Sequence, residues 1–168
     1  KDQYIGAMLG LGAAWKLVPD AGVRKVTGEL IEGTLDYLLQ NDWNVRLPPD
    51  GRVQTSFLGD FPKQLALLRI GKTVKPEKYG AAYDKVAAAA ELAWIGVWFS
   101  SFDPIFQYYK YNLSHAAFVT ALVLEESAAQ RKRWHDSYLL LWGAVAHHRN
   151  AYFDLARILA EPPATRPS

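Results

Sequence analysis

Apolar residues recur at helical spacing along almost the whole chain, and the runs are broken by proline and acidic residues rather than by strand-like alternation. Tyr4, Met8, Leu11, Trp15 and Val18 step by four, three, four and three, the spacing of one face of an α-helix. Ile5 and Leu9 widen the stripe. Gly6, Gly10 and Gly12 weaken a helix interior. They suggest either close approach of a backbone or ligand, or a weak helix held by its neighbours. Pro19-Asp20 stops this helix, and Asp20 is an N-cap for the next. There Val23, Val26, Leu30, Ile31, Leu35 and Leu38 form the expected buried stripe. Arg24, Lys25, Glu29, Glu32, Asp36 and Gln40 cover the opposite face.

The pattern changes over residues 41–57. Trp43-Asn-Val-Arg-Leu47 and Arg52-Val-Gln-Thr-Ser56 flank Pro48-Pro-Asp-Gly51, which predicts a short β-hairpin over 43–56. Isolated hairpins are marginal, so this one must lie on the helices. Asp60-Phe61-Pro62 opens a third helix with Phe61, Leu65 and Leu68 inward, ending near Gly71. Pro76 opens a fourth that runs to about Phe99, and its alanines at 87–90 allow tight helix contact. Asp103-Pro104 repeats the cap signal. Helix five runs from about Ile105 or Tyr109 to Glu125. Ser127 with Gln130 reads as a capping box opening helix six, whose stripe is Trp134, Tyr138, Leu141, Trp142 and Val145. A last helical segment covers 150–159. The expected organisation is one all-α domain over 1–160 and a Pro-rich tail, 161–168, either disordered or laid loosely on the surface.

Bulk properties exclude several classes. A chain of 168 residues fits one domain and needs no staples. It has no cysteine, so disulfides and thiolate metal sites are ruled out. A net charge of +2, from 19 basic and 17 acidic residues, is too balanced to argue for nucleic acid or an anionic membrane. The longest apolar stretch, 87–99, is interrupted by Glu91 and is shorter than a membrane span. The expectation is therefore no nucleic-acid partner and no membrane insertion. The first residue is Lys1 rather than Met and the helix starts at once. That suggests a mature form or a fragment, with the rest of a longer chain as a partner.

One internal correspondence bears on architecture. A shift of 107 residues sets Tyr4 on Tyr111, Leu17 on Leu124, Asp20 on Ser127, Ile31 on Tyr138 and Leu35 on Trp142. Repeated α-hairpins imply a toroid or a solenoid. In a ring of hairpins the odd-numbered helices run parallel, so their N-termini share one rim. Lys1-Asp2-Gln3-Tyr4 and Tyr109-Lys110-Tyr111-Asn112 then face the same space. The candidate binding residues are Asp2, Gln3, Tyr4, Lys110, Tyr111 and Asn112, with Gln64 nearby. The carboxylate and amides suit paired hydroxyls, Lys110 an acidic sugar, and the tyrosines stacking on a sugar face. The competing reading makes them caps and inter-helix hydrogen bonds.

Other constellations are weaker. Asn112 and His115 share a helix face, so His115 is a candidate general base. His147, Asn150 and Asp154, spaced three and four apart, could hold a hard or borderline metal. Capping and packing is favoured there, and no metal or cofactor is assigned. Asp2, Asp60, Asp103, Glu125 and Asp154 are carboxylates of the type used in glycoside cleavage, without an assigned pair.

Lys1-Asp-Gln-Tyr-Ile-Gly6, Gln64-Leu-Ala-Leu-Leu68, Tyr109-Lys-Tyr-Asn-Leu113 and His148-Arg-Asn-Ala-Tyr-Phe-Asp154 resemble segments of poorly characterised bacterial (α/α) toroid proteins. These are similar in architecture to six-hairpin glycosidases and polysaccharide lyases. The resemblance runs loosely over most of 1–160. It implies a ring of helical hairpins whose inner-helix ends form a cleft, often for glycans. A complete six-hairpin ring needs more chain than this, and no matched catalytic pair carries over. The expected fold is therefore a set of consecutive antiparallel helical hairpins forming a partial (α/α) toroid or curved layer. The expected function is recognition or processing of a glycan or acidic sugar, as part of a longer protein. The alternative is a non-catalytic helical scaffold for protein–protein interaction.

Overall fold

A computed structural model describes the backbone of residues 1–100 and 108–162, and the side chains of 1–89 and 111–162. Helix α1 spans Asp2–Leu17 and α2 spans Ala21–Gln40. Strands β1 (Asn44–Leu47) and β2 (Arg52–Ser56) follow. Then come α3 (Phe61–Val74), α4 (Pro76–Ser100), α5 (Tyr108–Leu124), α6 (Ala128–Val145) and α7 (Ala151–Ala160). The Asp103-Pro104 cap signal and residues 163–168 lie outside the described residues.

The helix starts follow local chemistry. Asp20 accepts the Val23 N–H at 2.9 Å, Ser127 the Gln130 N–H at 3.3 Å and Asn150 the Tyr152 N–H at 2.9 Å. Each bond satisfies one of the donors that a helix start leaves open. The strands pair antiparallel, Asn44 with Ser56 and Leu47 with Arg52, with an irregularity between Val45 and Arg46. Trp43, Val45 and Phe57 bury the hairpin against the core, and the Tyr37 hydroxyl accepts the Arg46 N–H at 2.8 Å.

Helices α1 and α2, α3 and α4, and α5 and α6 form three hairpins; the odd helices pack on one another and α7 packs on α5 and α6. The fold is all-α, as expected. Helix α3 is its axis and is buried without a break from Gln64 to Gly71, as a helix enclosed on all sides must be. Contacts fix the directions. Lys1 meets Asp60 at 3.1 Å, joining the starts of α1 and α3. A Cβ on Gly28 would lie 3.5 Å from Val74 and 3.8 Å from Trp15, so the ends of α1 and α3 also coincide. Arg69 bonds the Leu124 carbonyl and Tyr83 bonds Glu125, which brings the end of α5 to the α3–α4 turn. All three helix–helix turns gather at one end, and the starts of α1, α3 and α5 lie at the other.

Two expectations need correction. Helix α2 buries Thr27, Gly28, Ile31, Leu35 and Leu38, whereas Val23, Val26 and Leu30 are 37%, 54% and 52% exposed. The helix lies at the margin of the fold, and α1 and α3 cover only one side of it. Helix α3 runs past Gly71 to Val74. Gly71 is there for close approach, because a Cβ would come within 3.0 Å of the Tyr79 ring and still closer to Leu35.

Candidate functional site

The rim at the starts of α1, α3 and α5 is built around Asp60. Its carboxylate takes Lys1 at 3.1 Å and Lys63 at 2.9 Å and makes no cap bond to α3. The Lys1 ammonium also lies over the Phe57 ring, 5.6 Å from its centre. Tyr4 is half-buried and meets Phe57 edge to face at 6.0 Å. Burial, and secondarily the nearby Tyr37 phenol, raises the Tyr4 pKa above its ordinary value, so its hydroxyl stays protonated. Asp2 and Gln3 are exposed in the first turn of α1.

The remaining candidates divide between packing and surface. Gln64 is buried, and its amide donates to the Phe57 carbonyl at 2.9 Å, which anchors the hairpin exit to α3. Tyr111 is half-buried against the core in the first turn of α5. Asn112 is exposed, and its backbone carbonyl accepts the Tyr152 hydroxyl at 3.1 Å. Lys110 also belongs to the first turn of α5, with its side chain outside the described residues. Sequence reading missed Lys63 as a rim residue, and it placed Lys1 at the rim without its partner Asp60. The signal for Lys63 was its position three residues after Asp60 on a helix start.

A second polar cluster closes the opposite end. Arg69 donates to the Leu124 carbonyl at 2.7 Å and lies 3.9 Å from Glu125. Glu125 accepts the Ser127 N–H at 2.9 Å and the Tyr83 hydroxyl. Burial, then the Glu125 carboxylate, pushes the Tyr83 phenol well above its usual range. A cleft of about 340 Å³ lies beside the cluster, lined by Lys72, Tyr83, Asp84, Glu125 and Gln130 among others. Both carboxylate oxygens of Glu125 are engaged within the fold, so the cluster is a clamp across α3, α4, α5 and α6. Because Glu125 takes the Ser127 N–H, Gln130 does not close the expected capping box, and its side-chain nitrogen is buried without a partner.

The weaker constellations resolve as structure. His115 is fully buried, shares a 3.1 Å hydrogen bond with Tyr138 and packs on Phe153 with ring centres 4.5 Å apart. Its surroundings drive its pKa down to about 4 through burial. An enclosed imidazole without solvent access is not placed to act as a base beside the exposed Asn112. Asn150 caps α7, and His147 stacks on His148 at 4.0 Å. Among the described residues no three His, Cys, Asp or Glu side chains gather as a metal site. No described helix is long and apolar enough to cross a membrane. No protein family, curated protein or solved structure matches the chain.

Proposed function

We propose that this domain recognises a carbohydrate at the rim formed by the starts of α1, α3 and α5, within a longer protein of (α/α) toroid architecture. The observation that carries the reading is the Lys1–Asp60–Lys63 contact. It holds two helix starts side by side, with Asp2 and Gln3 exposed next to the half-buried Tyr4 ring. Helix α1 starts without a side-chain cap, which leaves the first-turn N–H groups of Asp2, Gln3 and Tyr4 as donors. A polyhydroxylated ligand uses such a mixture: hydroxyls pair with the Asp2 carboxylate and the Gln3 and Asn112 amides, and a sugar face lies on a ring. Lys110 would take the carboxylate of an acidic sugar. No catalytic pair is assigned at the rim, and recognition alone is proposed.

A glycan array and a polysaccharide-degradation screen on the purified chain test this. Asp2→Asn and Asn112→Ala should each weaken glycan binding about tenfold, about 1.4 kcal/mol, without moving the melting temperature. Absence of binding to any glycan would overturn the reading. The second reading, a helical scaffold, is favoured by exposed apolar residues on α2 and by Tyr152, Leu155, Ile158 and Leu159 on α7. One comparison separates the two. Rim substitutions alter binding under the first reading; Leu30→Lys and Leu155→Lys alter it under the second.

A further inference from the structure

We propose that the outer face of α2 is a self-association surface on which a second copy of this chain packs antiparallel. Val23, Val26 and Leu30 are exposed on this face, and Gly33 continues it one turn on. At 3.6 residues per turn the four positions fall within about 80° of one another, a single stripe along the helix. Gly33 has nothing within 4 Å of where a Cβ would be. The chain's own packing therefore gives no reason for glycine inside this helix, where glycine is destabilising. Close approach of another helix does.

Charge identifies the occupant and its direction. Lys25 and Glu29 flank the stripe on the same side, both exposed, and neither enters an ion pair among the described residues. They stand in the Lys-before-Glu order, the less favourable one for pairing along a helix. The other charges of α2 are already engaged. Glu32 and Asp36 take Lys78 at 2.7 and 2.6 Å, and Arg24 donates to the Val18 carbonyl at 3.1 Å. A parallel copy would place the two copies' Lys25 and Glu29 on opposite sides of the contact and leave them unpaired. An antiparallel copy, related by a twofold axis near Gly28, sets Val26 against Leu30 of the second copy and Val23 against its Gly33. It also brings Lys25 beside the second copy's Glu29, twice by symmetry. Large residues meet small, and each unpaired charge meets its opposite.

The test is mass in solution by sedimentation or light scattering across a dilution series. The expected result is a concentration-dependent dimer of the wild-type chain. Leu30→Lys should abolish it while the circular-dichroism spectrum and melting temperature hold. Lys25→Glu alone and Glu29→Lys alone should each raise the dimer dissociation constant at least tenfold. An equimolar mixture of those two variants should dimerise again, because the mixed dimer sets every glutamate against a lysine. A wild-type chain that is monomeric at every concentration would overturn the proposal. So would a mixture that stays monomeric. Neither result touches the rim, whose residues are absent from this face.

Discussion

Acid should destabilise this domain through His115. The imidazole is fully buried, with one nitrogen on Tyr138 and the other without a partner, so protonation places an unneutralised charge in the core. Burial lowers its pKa from 6.5 to about 4. The folded state thus binds this proton more weakly than the unfolded state does. Stability is complete above pH 6.5, falls as the pH drops towards 4, and loses nothing more from this residue below that. At 1.36 kcal/mol per unit the loss is about 3 kcal/mol, a large share of the 5–15 kcal/mol typical of a domain. Urea unfolding followed by tryptophan fluorescence between about pH 7.5 and 4, for the wild type and His115→Gln, isolates it. Other titrating groups are common to both proteins and cancel in the difference. The wild type should lose about 3 kcal/mol more than the variant across that window. Parallel stability curves would refute the reasoning, because His115 would then titrate alike in both states.

Gly71→Ala should cost about 1–3 kcal/mol by overpacking, since the added methyl meets Leu35 and Tyr79, both buried core residues; an unchanged denaturation midpoint would show that the α3–α4 contact has slack. Arg69→Leu should destabilise by about 3 kcal/mol or more, because it leaves the buried Glu125 carboxylate without its cation and the Leu124 carbonyl without its donor; thermal denaturation measures it, and a near-neutral effect would mean that Tyr83 and the Ser127 N–H suffice.

Features set by neighbours in sequence were legible, and features set by neighbours in space were not. Asp20 and Ser127 cap the helices they were expected to cap, because a cap bond spans two or three residues. The β-hairpin follows from its turn residues in the same way. For α2, periodicity identified an apolar helix but not which side has a neighbour, and Val23, Val26 and Leu30 were misplaced for that reason. Arg69 sits inside the apolar run of α3 with no local cue, since its partner lies 55 residues away. Gly71 carried an ambiguous signal, as glycine serves both helix ends and close contacts. The rim was visible through the internal shift, which aligns α1 with α5 and requires parallel odd helices. Its anchor, Asp60, was read as an N-cap and a candidate carboxylate, but its ion pair with Lys1 depends on the fold.

The two ends of the helices treat their exposed backbone differently, and this bears on where a ligand would sit. At the end holding the turns, α2 and α6 start with side-chain caps from Asp20 and Ser127, and the final carbonyl of α5 is taken by Arg69. Those backbone groups are satisfied within the chain. At the other end, α1 and α3 begin without side-chain caps, although Asp60 stands at the cap position of α3 and could supply one. Forgoing a cap costs about 0.5–2 kcal/mol. The Asp60 carboxylate is spent instead on Lys1 and Lys63, which draws two helix starts together, and the first turn of α1 keeps its N–H groups for another acceptor. Water can fill that role in the free protein. A hydroxyl-rich ligand can replace it, with the Asp2 and Gln3 side chains beside it to accept and donate in turn.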